Sequence, residues 1–367
     1  MIDNLDFARL RAIGLAPALF SAIANLPDTD TPQRLMRVTE VQRDSVSGHD
    51  GNDEHRARLR PALYADLADA GDALAVGDWV LAERNAFAEW WLVQRVPPVN
   101  QIARRLHDGR DKVTRAVVVA NVDTALLVMG LDHDFNPRRL ERYLAFVRLA
   151  QVGAVVVLTK ADLCADVPAR ERELQAILPP DVACVAVTAT DASAARTLAP
   201  WLGAGLTLVL VGSSGAGKST LTNTLVGTEL QDTGGTRRGD GRGRHTTTAR
   251  TLFATPHGAC IIDTPGLRTL RLDGDPDAVA AAFDDVTALA AQCRFRDCRH
   301  QNEPGCAVRD ALPAARLNNF HKLCREAERD VMSALERKAL VATWKARSRA
   351  VRTVMKIKRR SSAGSDA

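Results

Sequence analysis

In 367 residues no apolar run approaches the ~20 needed to cross a bilayer. The opening "MIDNLDFARL" places two acids ahead of any long apolar stretch, which a secretory signal would not do. These absences argue against a membrane span and a secretory signal, so a cytoplasmic protein is the expectation. Cysteine is also scarce: there are seven, an odd number, with three crowded between 293 and 306. That distribution argues against a disulfide framework and for reduced thiols with one metal cluster. Acid is missing from residues 337–360, which hold ten Lys or Arg and mark a polyanion-binding tail or a solvated one. With 46% hydrophobic and 25% charged residues the remainder can bury an ample core, and its length suggests two or three domains.

Residues 1–33 read as a helical leader ending at the turn-rich "LPDTDTP". Over 34–102 follow short alternating segments, "RLMRVTEVQR", "RARLRPAL", "AVGDWVLAE" and "EWWLVQRV", separated by Gly, Asp and Asn. This pattern predicts a β-barrel of about five strands, an OB-fold or an SH3-like barrel. From 113 to 276 the texture changes to near-continuous apolar strands: "TALLVMGL", "GAVVVLTK", "CVAVTAT", "LTLVLVG" and "ACIIDTPG". Helical stretches such as "RRLERYLAFVRLAQ" lie between several of them, so a parallel α/β sheet is predicted. A helical unit built around a Cys/His knot (277–335) and the basic tail (336–367) complete the chain.

"GSSGAGKST" follows a strand and precedes an apolar helix. This is the context of a phosphate loop, whose backbone N–H groups close on phosphates at the positive end of the helix. Gly212, Ser213, Ser214, Gly215, Ala216, Gly217 and Thr220 would form that cradle, with Lys218 bridging the β- and γ-phosphates and Ser219 on magnesium. "DTPG" ends the next strand, where Asp263 can hold magnesium and the Gly266 N–H can meet the γ-phosphate. Between the two lies "GGTRRGDGRGRHTTTARTLF", Gly-rich, basic and unable to build a core; it suits a switch segment or a surface loop. One of Thr246, Thr247 or Thr248 can complete the magnesium shell there.

"TKAD" then selects the base. Asp162 can accept two hydrogen bonds from guanine N1–H and its exocyclic amine, which adenine cannot offer, while the Lys160 stem lies along the base plane. After the next strand, Ala189 in "VTAT" can present a backbone N–H to the base oxygen. Thr159 replaces the usual Asn that braces the phosphate loop, so some rigidity is expected to be lost. The base-reading loop precedes the phosphate loop, the reverse of the ordinary GTPase order. Ligand sites on parallel sheets need their loops adjacent in space rather than in sequence, and joining old termini while cutting one surface loop preserves every loop. The order here is a circular permutation. A P-loop ATPase or nucleotide kinase remains the other reading, although no lid or acceptor-binding pattern is present; a GTP-loaded, non-hydrolysing RNA-binding switch is a third.

"CRFRDCRHQNEPGC" supplies Cys293, Cys298, His300 and Cys306. Three thiolates and an imidazole suit a closed tetrahedral zinc shell, one structural Zn2+ per chain, against buried free cysteines as the alternative. Cys164, Cys184 and Cys260 fall in or beside strands and read as core, and His321 and Cys324 as packing or surface residues.

With "GDWV" (77–80), "ANVDTALLVMGLDHDFNPRRLERYL" (120–144), the permuted nucleotide motifs, "GRHTTTAR" (243–250) and "CRFRDCRHQNEPGCAV" (293–308), the chain resembles the RsgA family of circularly permuted GTPases of small-ribosomal-subunit biogenesis. The resemblance covers about residues 34–335. It implies an OB-fold, a central P-loop GTPase and a C-terminal zinc domain, with GTP/GDP, magnesium, the small ribosomal subunit and its rRNA as partners. It further implies late action in subunit maturation and hydrolysis stimulated by the subunit. No membrane partner is expected, and a monomer is.

Leu267 follows "DTPG" where many GTPases place a water-orienting glutamine, and leucine has no group for that work. Potassium-assisted relatives carry Asn where Gly215 stands, so that route has no support. His245, beside the Thr cluster and matching the family's His in "GRHTTT", is the catalytic candidate; an RNA-contacting imidazole between basic neighbours is the alternative. His245→Ala should keep GTP and subunit binding but lose roughly 10- to 1000-fold in subunit-stimulated turnover. Normal hydrolysis by the variant on saturating subunits would remove His245 from the reaction.

Overall fold

A computed structural model describes residues 2–3, 5–27, 29–107, 113–227, 250–264, 279 and 283–331. His245, Thr246, Thr247, Gly266 and the tail 336–367 lie outside the described residues.

Five strands, β1 (Arg34–Val41), β2 (Val46–His49), β3 (Glu54–Leu59), β4 (Trp79–Arg84) and β5 (Trp90–Arg95), close in the order β1-β2-β3-β5-β4-β1. The β3–β5 pair is parallel, the other pairs are antiparallel, and helix Pro61–Asp69 joins β3 to β4. This is the OB order; the SH3-like alternative is set aside. Alternate residues explain the chemistry of the strands. Met36, Val38, Val80, Ala82 and Leu92 fill the barrel, whereas Leu35, Trp79 and Leu81 face outward and are covered by leader residues Leu10, Ile13, Leu15 and Leu19. β2, "VSGH", was too short and polar to be seen as a strand from sequence.

β6 (Gln101–His107) and β7 (Val113–Ala120) form a separate antiparallel pair, so the stretch beginning at 113 returns to its own neighbour rather than entering the large sheet. The remaining strands are β8 (Thr124–Gly130), β9 (Gly153–Thr159), β10 (Ala183–Ala186), β11 (Thr207–Val211), β12 (Thr251–Ala254) and β13 (Cys260–Asp263). They order as β10-β9-β8-β11-β13-β12, parallel except for β12. Their runs are continuously apolar because both faces are covered. Leu127, Met129, Val156, Leu158, Val209 and Val211 pack under helix Pro137–Leu149, while Leu126, Val128, Val155, Val157, Leu208 and Leu210 pack against helices Ser193–Thr197 and Lys218–Val226. The sheet order reverses direction between β8 and β11, which opens the crevice where such folds bind ligands.

Barrel and GTPase sheet meet at one pair, Glu40 with Thr251. Beside it Arg37 is fully buried. Its guanidinium donates to Ile13 O (2.6 Å), Thr207 Oγ1 (2.8 Å) and Asn121 O (3.2 Å), and it lies 5.5 Å from the centre of the Trp79 ring. Gly14 makes room for it: φ is +88° there, and a Cβ would stand 1.7 Å from Arg37 Nη1.

The C-terminal unit, with helices Asp284–Ala290, Ala307–Ala311 and Ala314–Val331, packs on helix Pro137–Leu149 through Phe283, Val308, Leu317 and Leu323. Charged pairs fasten the same contact. Arg316 bridges Glu141 and Asp285, Asn319 also reaches Glu141, Arg142 meets Glu326 at 2.9 Å, and Arg148 meets Asp284 at 3.2 Å. No helix among the described residues is long and apolar enough to cross a membrane.

Asp78 sits under the barrel wall, where burial pushes its carboxyl up to about 7 despite Arg95, the Ala75 N–H and Arg37. The unfolded chain binds fewer protons than the folded one between the two pKa values, so this group's contribution to stability falls as pH rises toward 7. Asp78→Asn should therefore flatten the fall in Tm between about pH 4 and 7. Parallel Tm profiles for variant and wild type, measured by calorimetry, would contradict it.

Candidate functional site

β8, β9, β10, β11 and β13 all end at one edge of the sheet, and those predicted nucleotide residues that are described collect there. Gly212–Ser219 leaves β11 and enters helix Lys218–Val226. Gly217, at φ +87°, makes the turn that points the first N–H groups of the helix into the loop. Lys218 Nζ is folded onto the loop, donating to Gly212 O (2.8 Å) and Ser213 O (2.5 Å). Ser214 and Gly215 are exposed, Ala216 is buried, and Ser219 and Thr220 are half-buried on the first turn. Asp263 closes β13 on the far side of β11.

The base side is built by β9 and β10. Thr159 ends β9 fully buried, and its hydroxyl donates to Ala216 O at 2.6 Å. A threonine in this place therefore ties β9 to the phosphate loop directly, through one hydrogen bond. Lys160 follows in the left-handed region, φ +59°, and Asp162 stands exposed with the Thr188 hydroxyl 3.4 Å from its carboxylate. Ala189 is nearly buried, and its carbonyl accepts from Thr224 Oγ1 (2.6 Å), so the helix after the phosphate loop also holds the base-oxygen loop.

Sequence reasoning overlooked the loop after β8, residues 131–136. Asp134 accepts from Ser213 Oγ (2.5 Å) in the phosphate loop and from Gly130 N (3.1 Å), and is paired with Arg139 (2.5 Å). Asp132 pairs with Lys160 at 2.7 Å. The available signal was two carboxylates in "GLDHDFN" just past the carboxyl end of a parallel strand, where ligands bind.

In the C-terminal unit Cys293, Cys298, His300 and Cys306 bring their ligand atoms within 4.8 Å of one another. His300 Nδ1 lies 3.6 Å from Cys293 Sγ and 3.5 Å from Cys306 Sγ. A tetrahedral ion with zinc-like bond lengths sets an S···N edge of about 3.5 Å, so the donor set fits a closed four-ligand site with no position open for substrate. His321, expected as mere packing or surface, has Nε2 3.1 Å from the His300 carbonyl and ties helix Ala314–Val331 to the cluster. Cys260 is buried and Cys164, Cys184 and Cys324 are half-buried.

A parallel sheet with a phosphate loop and a base-reading loop in exchanged order defines a circularly permuted GTPase. The fold matches a crystal structure of YjeQ from Thermotoga maritima (TM-score 0.60, 23% identity, 80% of this chain and 98% of that one). It also matches that of YloQ, a circularly permuted GTPase (TM-score 0.58, 20% identity, 83% and 98%). Residues 99–273 fit the RsgA GTPase family model. Relatives named small ribosomal subunit biogenesis GTPase RsgA are 48% identical over 84% of both chains in Xanthomonas oryzae, and 47% identical over 72% of this chain and 76% of theirs in Xylella fastidiosa. The chain belongs to the RsgA GTPase family.

Thr159→Ala leaves the Ala216 carbonyl without its partner at a cost of about 1–3 kcal/mol, and should speed release of a fluorescent GDP analogue about 5-fold or more. Thr159→Ser should restore slow release. Release unchanged in the alanine variant would show that the tie does not hold the loop.

Proposed function

We propose that this chain binds and hydrolyses GTP as a factor in late maturation of the small ribosomal subunit, in the cytoplasm. Residues 34–102 act as an OB-fold RNA-binding domain, 113–276 as the permuted GTPase and 277–335 as a zinc-stabilised domain; the basic segment 336–367 anchors rRNA through phosphate contacts. One observation carries this proposal: "TKAD" and "GSSGAGKST", far apart and in exchanged order along the chain, meet at one sheet edge through the Thr159–Ala216 bond. Adenine lacks the donors that Asp162 would satisfy, and the relatives' names supply the small subunit. Magnesium would be held by Ser219 and Asp263 with the switch threonines, and would supply charge neutralisation between the β- and γ-phosphates. The zinc is structural.

The experiment is GTP and ATP turnover by the purified chain, alone and with small subunits. Slow GTP hydrolysis that rises with subunits, and no comparable ATP hydrolysis, is expected. Metal analysis of the same protein should give about one zinc per chain. Equal use of ATP would favour a P-loop ATPase, and GTP binding without subunit-stimulated turnover a non-hydrolysing switch; either result rejects the proposal.

A further inference from the structure

We infer that Asp132 is a positioning residue for guanine recognition: from the end of β8 it holds the ammonium of Lys160, which keeps the lysine stem extended along the plane where the base binds. The inference rests on the GTP site proposed above and names a residue outside its motifs.

Register places the two groups together. β8 pairs with β9 so that Gly130 stands opposite Thr159, and Leu131 N donates to Thr159 O at 2.9 Å. Lys160 is therefore the first residue, and Asp132 the second, beyond a fixed pair of strand ends. Lys160 Nζ is 2.7 Å from Asp132 Oδ2, with the side chains 28% and 19% exposed. An ordinary surface pair of long, free side chains contributes little. This one differs in being held at both ends.

On the lysine side the backbone is left-handed, φ +59°, a conformation a non-glycine residue rarely adopts and which aims the side chain back across β8. On the aspartate side, Oδ1 accepts from Asp134 N at 3.1 Å, and Asp134 is in turn bonded to Ser213 of the phosphate loop. Gly130 leaves space for the carboxylate: a Cβ there would lie 2.6 Å from Asp132 Oδ1. His133, whose ring is almost fully exposed, is the other cation near Asp132, at 3.3 Å when protonated. Burial alone would push the Asp132 carboxyl up, but Lys160 and the Asp134 N–H hold it below the usual carboxylate range, so it is ionised at neutral pH.

The physical need is electrostatic. Without Asp132, a flexible ammonium beside a nucleotide is drawn toward the phosphates, and its stem leaves the base. With Asp132, the charge is anchored on the β8 side and the apolar stem stays available for stacking. One loop thus sets both halves of the pocket, Asp132 the base side through Lys160 and Asp134 the phosphate side through Ser213.

The test uses the full chain and titrates GTP, GDP and ATP against wild type, Asp132→Ala, Lys160→Ala, the double variant and Gly130→Ala. Asp132→Ala should weaken GTP and GDP by the same factor, about 3- to 10-fold for loss of a partly screened, charge-assisted contact. Adenine offers Asp162 no pair of donors to seat it against the stem, so ATP affinity and Tm should stay as in wild type and discrimination for guanine falls by that factor. Lys160→Ala should remove the effect of Asp132→Ala in the double variant. Gly130→Ala, which displaces the carboxylate without changing any charge, should shift the GTP-to-ATP ratio in the same direction. Equal weakening of all three nucleotides would mean a structural role only and would overturn the inference, as would an undiminished GTP-to-ATP ratio in Asp132→Ala. A wild-type chain without guanine preference would overturn the GTP site and the inference together.

Discussion

One buried cation ties leader, barrel and nucleotide sheet together at a single point. Arg37 leaves β1 on the side away from the barrel interior and gives its hydrogens to the leader (Ile13 O), the segment before β8 (Asn121 O) and the first residue of β11 (Thr207 Oγ1). A guanidinium taken out of water is costly unless its donors are met and opposite charge is near. Here Asp123 and Asp78 supply the field, and Asp123 also accepts from Thr207 N at 2.7 Å. The Nη donors of Arg37 are met in this way while Nε has no hydrogen-bond partner among the described residues, and the geometry that meets them leaves few alternatives for the three segments around it. The strand pairing between barrel and sheet is a single residue pair by comparison.

At the other side of the sheet the same logic works through a helix. Pro137–Leu149 begins directly after the loop that holds Lys160 and Ser213, and Arg139 in its first turn grips Asp134. Its outer face carries Glu141, Arg142 and Arg148 into pairs with the C-terminal unit. Glu141 shows the cost: burial pushes its carboxyl up, and Arg316 and Asn319 oppose that shift. The helix from Ala314 to Val331 then reaches the Cys/His cluster through His321. Phosphate loop and Cys/His cluster are thus joined by polar contacts around one helix, with apolar packing beneath.

The fold was legible in sequence where periodicity and both-sided burial leave strong traces. Continuous apolar runs announced β8, β9 and β11, and alternation announced β1, β4 and β5. β2 escaped because four residues including Ser, Gly and His carry no such trace, and β6–β7 because a hairpin outside the sheet looks like any other pair of strands. In the site, Gly212–Ser219 and the four metal-ligand candidates were legible because their spacing is local. Asp132 and Asp134 were not. A carboxylate acquires its role only from what the neighbouring strand end brings opposite it, and that neighbour is distant in sequence.

By itself, then, the sequence determined the chemistry on offer: a phosphate loop, an aspartate suited to guanine, three thiols and an imidazole, and the exchanged order of the loops. Local spacing is enough for these, because each is made by residues within one turn or one tight loop. Tertiary structure alone decided that Thr159 bonds the phosphate loop, that Asp132 holds Lys160, and that His321 backs the Cys/His cluster. Those are contacts between strand ends and helices far apart in the chain, set by register and by the demand that buried polar groups find partners. No one-dimensional pattern records which partner that will be.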